Sequence, residues 1–199
     1  MSKTSEQINY IIKAGLHPVL KREGFLKSSR TFRRSHTDSI QIVNIQGSWT
    51  NQADEGQFTI NLAVYFPEAA KIHGAFQITE SPLVSDCMVN QRIGHIMPVH
   101  KDYWWSFDSK SDLDNIAQEV VLACVGYGLP WLDEHSTVEG AIKFSLSRNT
   151  PYWAAIFSLL LNNRENAKQY LSEAIVKASK NPGHKSWLEV WGRSNGLVP

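Results

Sequence analysis

The sequence predicts an α+β fold in two layers, an antiparallel sheet of four to five strands packed against helices, with a C-terminal helical subdomain. Apolar residues recur at helical spacing near the N-terminus, change to a period of two between residues 31 and 66, and return to helical spacing from residue 111. The segments with a period of two are joined by short connections, whereas parallel strands need crossovers of about a dozen residues or more. The predicted sheet is therefore antiparallel.

The first helix is expected from about Ser5 to Arg22, where isoleucine and leucine recur on one stripe. Pro18 should kink or divide it, because proline removes a backbone donor. Three strands follow, at residues 31–36, 40–48 and 58–66. The third has the clearest alternation and predicts one face buried in a core.

Two further strands are expected at Arg92–Met97 and Tyr103–Phe107, both rich in β-branched or aromatic residues. A helix then begins at Ser111 and should end near Gly126 to Gly128. Both the first helix and this one should cover the same face of the sheet.

The domain division is expected after residue 132. Residues 1–132 form the predicted α+β domain, and residues 133–199 form a helical C-terminal subdomain packed on it. In the second part, Thr150 followed by Pro151 is a typical helix start, and only helical patterns follow Pro130.

Composition indicates a cytoplasmic protein. No apolar stretch reaches the roughly 20 residues of a membrane span, and the first ten residues lack the pattern of a secretory signal. Cys87 and Cys124 are isolated and are expected to be reduced thiols. Neither a phosphate loop, a dinucleotide fingerprint nor a metal-ligand spacing is present, so no cofactor and no metal are predicted.

The formal net charge of +1 conceals an asymmetry. Residues 1–36 carry eight basic and two acidic side chains, whereas residues 37–90 carry one basic and six acidic ones. This division predicts either internal pairing across the sheet or two faces of opposite charge.

A family resemblance covers roughly residues 5 to 132. The segments that carry it are Gly24-Phe25, Thr31-Phe32-Arg33-Arg34, Ile42-Val43-Asn44-Ile45-Gln46-Gly47-Ser48, Phe58-Thr59-Ile60-Asn61-Leu62, Arg92-Ile93-Gly94 and Trp104-Trp105. In their order and spacing, these segments resemble a bacterial family known only as domain of unknown function 4304. The resemblance implies an α+β domain without an established activity, and it favours a small binding protein such as an immunity protein.

The best catalytic-looking group is formed by His95, His100 and Asp102, close to Arg92. A histidine with a carboxylate can act in acid–base chemistry. Five residues separate the histidines, which suits neither one helix face nor one strand face, so surface or structural roles are favoured. Cys87 with His95 is a weaker thiolate candidate, because sequence shows no orienting third group.

The candidate binding residues lie on the strands and in nearby loops. Asn44 and Gln46 share one strand face, and Asn61 lies on the less apolar face of the next strand. These residues either bond across the sheet or to a loop, or form a polar patch that recognises a ligand or partner. Tryptophan and arginine are favoured at binding hot spots. The remaining candidates are Trp49, Arg92, Trp104, Trp105 and Arg34.

Three of these candidates, Trp104, Trp105 and Arg34, carry a further expectation. Trp104 and Trp105 are adjacent, so only one can face the core. Arg34 belongs to a basic run with Lys27, Arg30 and Arg33, which is expected to pair with the acidic segment, and a buried ion pair would make it structural. Nucleic-acid binding is a third possibility but an unlikely partner class.

The leading hypothesis is a cytoplasmic bacterial protein without catalysis, an immunity-type protein that neutralises a toxin by direct binding. The alternative is an enzyme acting on nucleotides or nucleic acid through Arg92, His95, His100 and Asp102. A protein partner and no membrane association are expected, and the oligomeric state is left open.

Overall fold

The computed structural model describes residues 2–52, 54–74 and 78–198. The chain forms two compact units, Met1–Tyr65 with Ser81–Glu134 and Phe66–Glu80 with His135–Pro199. The second unit is therefore discontinuous in sequence, and the sequence does not predict that residues 66–80 join the C-terminal helices.

The first unit contains a six-stranded antiparallel sheet within the described residues. Its strands are β1 (Leu26–Ser28), β2 (Thr31–Ser35), β3 (Ile40–Gly47), β4 (Glu55–Tyr65), β5 (Val89–Arg92) and β6 (Trp105–Asp108). The spatial order is β1-β2-β3-β4-β5, and β6 pairs with the first part of β4. The antiparallel prediction is confirmed, and the long β4 accommodates two partners in succession on one edge.

The strand expected at Arg92–Met97 is wrong in position. β5 ends at Arg92, and Ile93–His95 forms a 3-10 turn. The cause is a close approach at Gly94, where a Cβ would lie 2.4 Å from the carbonyl oxygen of Lys101 and 2.5 Å from the Cβ of Tyr103. Only a glycine fits there, and the chain turns away from the sheet.

The first helix is not interrupted at Pro18. Helix α1 (Lys3–Ile11) continues through a π turn (Ile12–Leu16) into α2 (His17–Arg22), and Pro18 lies in the first turn of α2. Proline removes one backbone donor, and the π turn that directly precedes α2 is where the hydrogen bonding departs from the α-helical pattern. The π turn also brings Gly15 against a neighbouring helix, since a Cβ on Gly15 would lie 2.7 Å from the carbonyl oxygen of Ala117.

The helix predicted to end at Gly126 to Gly128 is longer than expected. Helix α4 (Leu113–Ala123) passes through a second π turn (Cys124–Gly128) into α5 (Leu129–His135). Two glycines weaken a helix but do not end it when its apolar stripe stays packed. Asp112 rather than Ser111 caps the start of α4, its carboxylate accepting from two backbone N–H groups.

The core of the first unit lies between the sheet and these helices. Apolar side chains of both helical runs and of alternate strand positions are fully buried there: Ile8, Ile11, Leu16, Leu20, Phe32, Val43, Phe58, Ile60, Leu62 and Val120. The other face of the sheet carries polar residues at one end.

The second unit is helical. It contains α3 (Pro67–His73), α6 (Val138–Ser147), α7 (Pro151–Leu160), α8 (Arg164–Lys177) and α9 (Pro182–Ser194). Phe66 packs edge-on against Phe157, and the indole Nε1 of Trp191 donates to the carbonyl oxygen of Ile72 at 3.1 Å. The expectation of C-terminal helices is confirmed.

Candidate functional site: the polar face of the sheet

One face of the sheet carries a row of polar side chains that crosses four strands. Thr31 of β2 lies opposite Asn44 of β3, Asn44 opposite Asn61 of β4, and Asn61 opposite Arg92 of β5. Directly opposed residues of antiparallel strands share a face, so all four side chains lie together. We call these four residues, together with Gln46, the polar row.

Hydrogen bonds join the amides of the polar row. Asn44 Nδ2 donates to Thr31 Oγ1 at 2.9 Å, and Asn61 Nδ2 donates to Asn44 Oδ1 at 3.3 Å and to Gln46 Oε1 at 2.9 Å. The first of the two sequence interpretations, bonding across the sheet, therefore holds for these residues. Gln46 is exposed and the other members are half-buried, so the bonded row still borders solvent.

The polar row ends in a stacked pair, Arg92 and Trp104. The Arg92 guanidinium carbon lies 5.1 Å from the centre of the Trp104 ring. Asp102 holds both groups, because its Oδ2 accepts from Arg92 Nη1 at 2.5 Å and from Trp104 Nε1 at 3.1 Å. The side chains of Arg92 and Asp102 are 34% and 42% exposed, so the cluster is ordered but accessible.

Only part of this sheet face is accessible. Ile42 and Ala63, which also lie on it, are fully buried, and the 3-10 turn Val84–Asp86 packs on β4. Arg33 Nε, from the same face, donates to the carbonyl oxygen of Pro82 at 2.9 Å. The polar row and the Arg92 cluster therefore mark the accessible section.

Trp49 stands out in the loop between β3 and β4, with its residue 94% exposed. Close to it in sequence, Asn51 Oδ1 accepts from the backbone N–H of Gln57 at 2.8 Å and Asn51 Nδ2 donates to the Gln57 carbonyl oxygen at 3.1 Å, which ties this part of the loop to β4. An exposed indole beside such an anchored residue is available for contact with a partner.

Trp105 does not share this surface. It is 3% exposed and stacks on Phe58 of the core, with ring centroids 5.6 Å apart and an angle of 17° between the planes. The expected division of the two neighbouring tryptophans is found, and Trp104 is the accessible one.

Arg34 also lies away from the polar row. Its Nε donates to Gln41 Oε1 at 2.7 Å, its Nη2 pairs with Asp133, and its guanidinium lies 4.7 Å from the centre of the Phe25 ring. The side chain is 18% exposed. Arg34 therefore serves the fold, and its carboxylate partners, Asp133 and the more distant Glu23, lie outside the acidic segment 37–90.

Arg30, like Arg33, is also bonded within the first unit, whereas Lys27 of the basic run is exposed. Arg30 donates to Asn9 Oδ1 and to Ser5, and its burial lowers its pKa. Lys3 with Asp54 is an exposed ion pair between the basic and the acidic segments. The arginines thus find partners mainly in carbonyl, amide and hydroxyl groups, and they do not form one phosphate-binding track.

The two histidines of the catalytic-looking group, His95 and His100, do not bond to its carboxylate. His95 and His100 are both exposed, and Asp102 bonds instead to Arg92 and Trp104. His100 has a left-handed backbone, with φ of 46°. Among the described residues, no group of three or more His, Cys, Asp or Glu side chains is placed to hold a metal ion.

The two thiols are protonated at neutral pH. Burial raises the pKa of Cys124 to about 12 and raises that of Cys87 further, with a contribution from the neighbouring Asp86. The nucleophilic form of cysteine is the thiolate, so neither thiol is activated. Cys87 Sγ lies 3.2 Å from the carbonyl oxygen of Leu83, to which it donates.

Sequence reasoning missed two members of this site. The sequence pattern marks Thr31 only as the start of a strand, although the short β2–β3 turn already places it opposite Asn44. The same pattern suggests histidine as the partner of Asp102, whereas the structure gives Asp102 a hydrogen bond from Trp104, two residues further on.

Comparison with known proteins gives a single assignment. No curated protein and no solved structure matches the chain. No helix in the described part of the chain is long and apolar enough to span a bilayer. A family model described as Domain of unknown function (DUF4304) matches residues 16–134, which include all six strands and the whole polar row. The chain therefore belongs to the DUF4304 family.

Proposed function

We propose that the chain is a non-catalytic protein-binding module that contacts its partner through the polar row and Trp104. The observation that carries this proposal is the stack of Arg92 on Trp104, held by Asp102 on an accessible surface. Tryptophan and arginine dominate the energy of many interfaces. Because Asp102 already orders both side chains, less conformational entropy is lost on binding.

The neighbouring amides indicate the chemistry of the partner. Gln46 Oε1 accepts from Asn61 Nδ2, which leaves Gln46 Nε2 as a donor and Asn61 Oδ1 as an acceptor without partners among the described residues. A donor beside an acceptor matches a peptide group or a side-chain amide. The surface therefore suits a polar protein face with an exposed backbone or amide group.

In its specific form, the proposal is that the partner is a bacterial toxin, which the chain neutralises by direct binding in the cytoplasm. Support for this form comes from the two unpaired, buried cysteines, which suit a reducing compartment. Binding that blocks an active surface requires no catalytic group of its own, and Asp102 is committed to Arg92 and Trp104.

Affinity capture from the cells that produce the protein tests the binding proposal. The full chain should recover a stoichiometric partner, and Trp104→Ala should weaken the complex by about tenfold or more, in the range of an interface hot spot. Trp187→Ala is the matched control, because Trp187 is 39% exposed and belongs to the second unit. Equal recovery with Trp104→Ala, or no partner at nanomolar sensitivity, would overturn the proposal.

Co-expression tests the specific form. The captured partner should arrest growth when expressed alone, and the wild-type chain should restore growth better than Trp104→Ala does. A partner that is harmless when expressed alone would contradict the toxin proposal while leaving the binding proposal in place.

The alternative, an enzyme acting on nucleotides or nucleic acid through Arg92, His95, His100 and Asp102, has weaker support, because neither histidine bonds to Asp102. It predicts hydrolysis of a nucleotide or nucleic acid that is lost in the double variant His95→Ala/His100→Ala. Unchanged activity in that variant would eliminate it.

A further inference from the structure

The second unit contains a cavity that the proposed function does not use. Its volume is about 610 Å³, within the usual range of about 300 to 1,000 Å³ for small-molecule sites. Five aromatic or imidazole rings line it: His73, Tyr152, Trp153, His184 and Trp187. They come from α3, α7 and α9, so this wall forms only when the unit folds.

The rings are already arranged as flat walls. His73 stacks on Trp153 with centroids 4.9 Å apart and an interplanar angle of 22°, and His184 stacks on Trp187 at 5.9 Å and 11°. Tyr152 meets Trp187 edge-on, at 5.2 Å and 69°. The exposed fraction of Trp187 is 39%, so the cavity opens to solvent beside a ring face. Such faces favour a planar aromatic ligand.

The charge of the lining excludes one class of ligand that aromatic walls often bind. Cations are held by aromatic cages, but among the described residues that line the cavity Lys177 is the one with a formal charge, and none of them supplies a carboxylate. Burial lowers the pKa of His73, which is therefore neutral at pH 7 and adds no charge. The local field opposes a cation and attracts an anion.

Lys177 bonds to the protein but keeps a hydrogen-bond donor and its charge available for a ligand. Its Nζ donates to the carbonyl oxygen of Asn149 at 2.7 Å and also contacts Asn149 Oδ1. No ion pair engages it among the described residues. An ammonium group has three donors, so one remains for a ligand, and the charge is not neutralised by the protein.

We infer that this cavity binds a planar aromatic small molecule that carries an anionic group. The ring lies against the exposed Trp187 wall, and the anionic group faces Lys177. Two sources supply this chemistry, a nucleoside monophosphate and an aromatic carboxylic acid. The inference does not depend on the proposed function, since it concerns different residues in the other unit.

Isothermal titration calorimetry on the full chain tests the inference, with adenosine 5′-monophosphate and indole-3-acetate as the anionic probes. Adenosine and indole are the neutral counterparts, and choline is the cationic probe. At least one anionic probe should bind, and it should bind more tightly than its neutral counterpart and than choline. Binding of adenosine 5′-monophosphate would indicate a nucleotide as the ligand, and binding of indole-3-acetate would indicate an aromatic acid.

Two variants assign the binding to the cavity. Lys177→Met should lower the affinity for the anionic probe by about tenfold, the size expected for one charge-assisted hydrogen bond. Lys177→Arg keeps the charge and should retain most of the affinity. Trp187→Ala should also weaken it by about tenfold, as expected for loss of one stacking face. Trp49→Ala, an exposed tryptophan of the first unit, should change nothing.

Three results would overturn the inference. These are no binding of either anionic probe at low millimolar concentration, equal or tighter binding of the neutral or cationic probes, and unchanged affinity in both Lys177→Met and Trp187→Ala. Both variants alter exposed residues, and unchanged far-ultraviolet circular dichroism would show that they are folded.

Discussion

The two faces of the sheet use the same residue types for opposite purposes. On the face that packs against the helices, Trp105 stacks on Phe58, and Arg34 bonds to Gln41 and Asp133. On the other face, Trp104 and Arg92 stack on each other and stay accessible. A tryptophan and an arginine stabilise the fold on one face and form a ready contact surface on the other.

The difference follows from the alternation of side chains along a strand. Trp105 is the first residue of β6, and Trp104 directly precedes it. Consecutive residues of an extended chain point to opposite faces, so the two rings are separated although the residues are adjacent in sequence. Residue type alone therefore does not identify a binding residue in this protein, whereas the position of the residue on one face of the sheet does. Substitutions on the helix-covered face should therefore mainly lower the free energy of unfolding. Substitutions on the accessible face should mainly lower the affinity for the partner.

Trp105→Ala should produce the largest loss of stability. Removing a buried tryptophan leaves a cavity beside Phe58, and the free energy of unfolding should fall by about 3 to 5 kcal/mol. Trp104→Ala should lower it by about 1 kcal/mol, since it removes a half-exposed cation–π contact. Urea unfolding followed by circular dichroism measures both, and equal losses would show that the two faces are not distinct.

Arg34→Ala should be the next most destabilising change. It leaves Gln41 and Asp133 without their charged donor, and the free energy of unfolding should fall by about 2 kcal/mol. Arg92 is the more exposed of the two arginines, so Arg92→Ala should lower the free energy of unfolding by about 1 kcal/mol or less.

Partner binding should show the reverse order, with Arg92→Ala weakening the complex and Arg34→Ala leaving its affinity unchanged. The exposed Lys27→Ala is a matched control for removal of a positive charge from the same region. A larger loss of affinity in Arg34→Ala would contradict the assignment of the two faces.

The buried thiol of Cys124 should make stability depend on alkaline pH. The pKa of this thiol is raised to about 12 in the folded chain, against 9.0 as its ordinary value. The folded state therefore keeps a proton that the unfolded state releases, so stability is complete below pH 9 and declines as the pH rises toward 12. The slope is at most about 1.4 kcal/mol per pH unit.

Unfolding free energies measured between pH 8 and pH 10.5 test this dependence. Cys124→Ala should show a flatter decline than the wild-type chain over that interval. Identical slopes in the two proteins would mean that the thiol ionises equally well in the folded state, which its burial in the helix layer opposes.

Asp102→Asn should change stability least of all these substitutions, and its effect should be confined to partner binding. The amide keeps the size of the carboxylate but loses its charge, so Arg92 and Trp104 are held less firmly while the fold is maintained. Affinity for the captured partner should fall by about three- to tenfold. This range combines the loss of one exposed ion pair with the cost of ordering Arg92 and Trp104 on binding. An unchanged affinity would show that ordering by Asp102 does not contribute to binding.

Several parts of the fold could be predicted because they depend on local patterns. The alternation in residues 58–66 predicts β4, and the short connection before it predicts antiparallel pairing with β3. The shared face of Asn44 and Gln46 follows from the same rule. By contrast, the end of β5 depends on the approach of Lys101 and Tyr103 to Gly94, which no local pattern contains.

The sequence by itself determined the α+β class, the order of the main strands and helices, and the separation of Trp104 from Trp105, because periods of two and 3.6 residues act over short stretches of chain. Only the tertiary structure decided that Arg34 is structural and Arg92 accessible, since the Arg34 side chain is 18% exposed and bonded to Gln41 and Asp133, whereas the Arg92 side chain is 34% exposed beside Trp104. It also decided the aromatic cavity, whose rings are separated by up to 114 positions between His73 and Trp187. Such distant residues meet because burial of apolar surface brings helices together, and no local pattern encodes which of them will face one another.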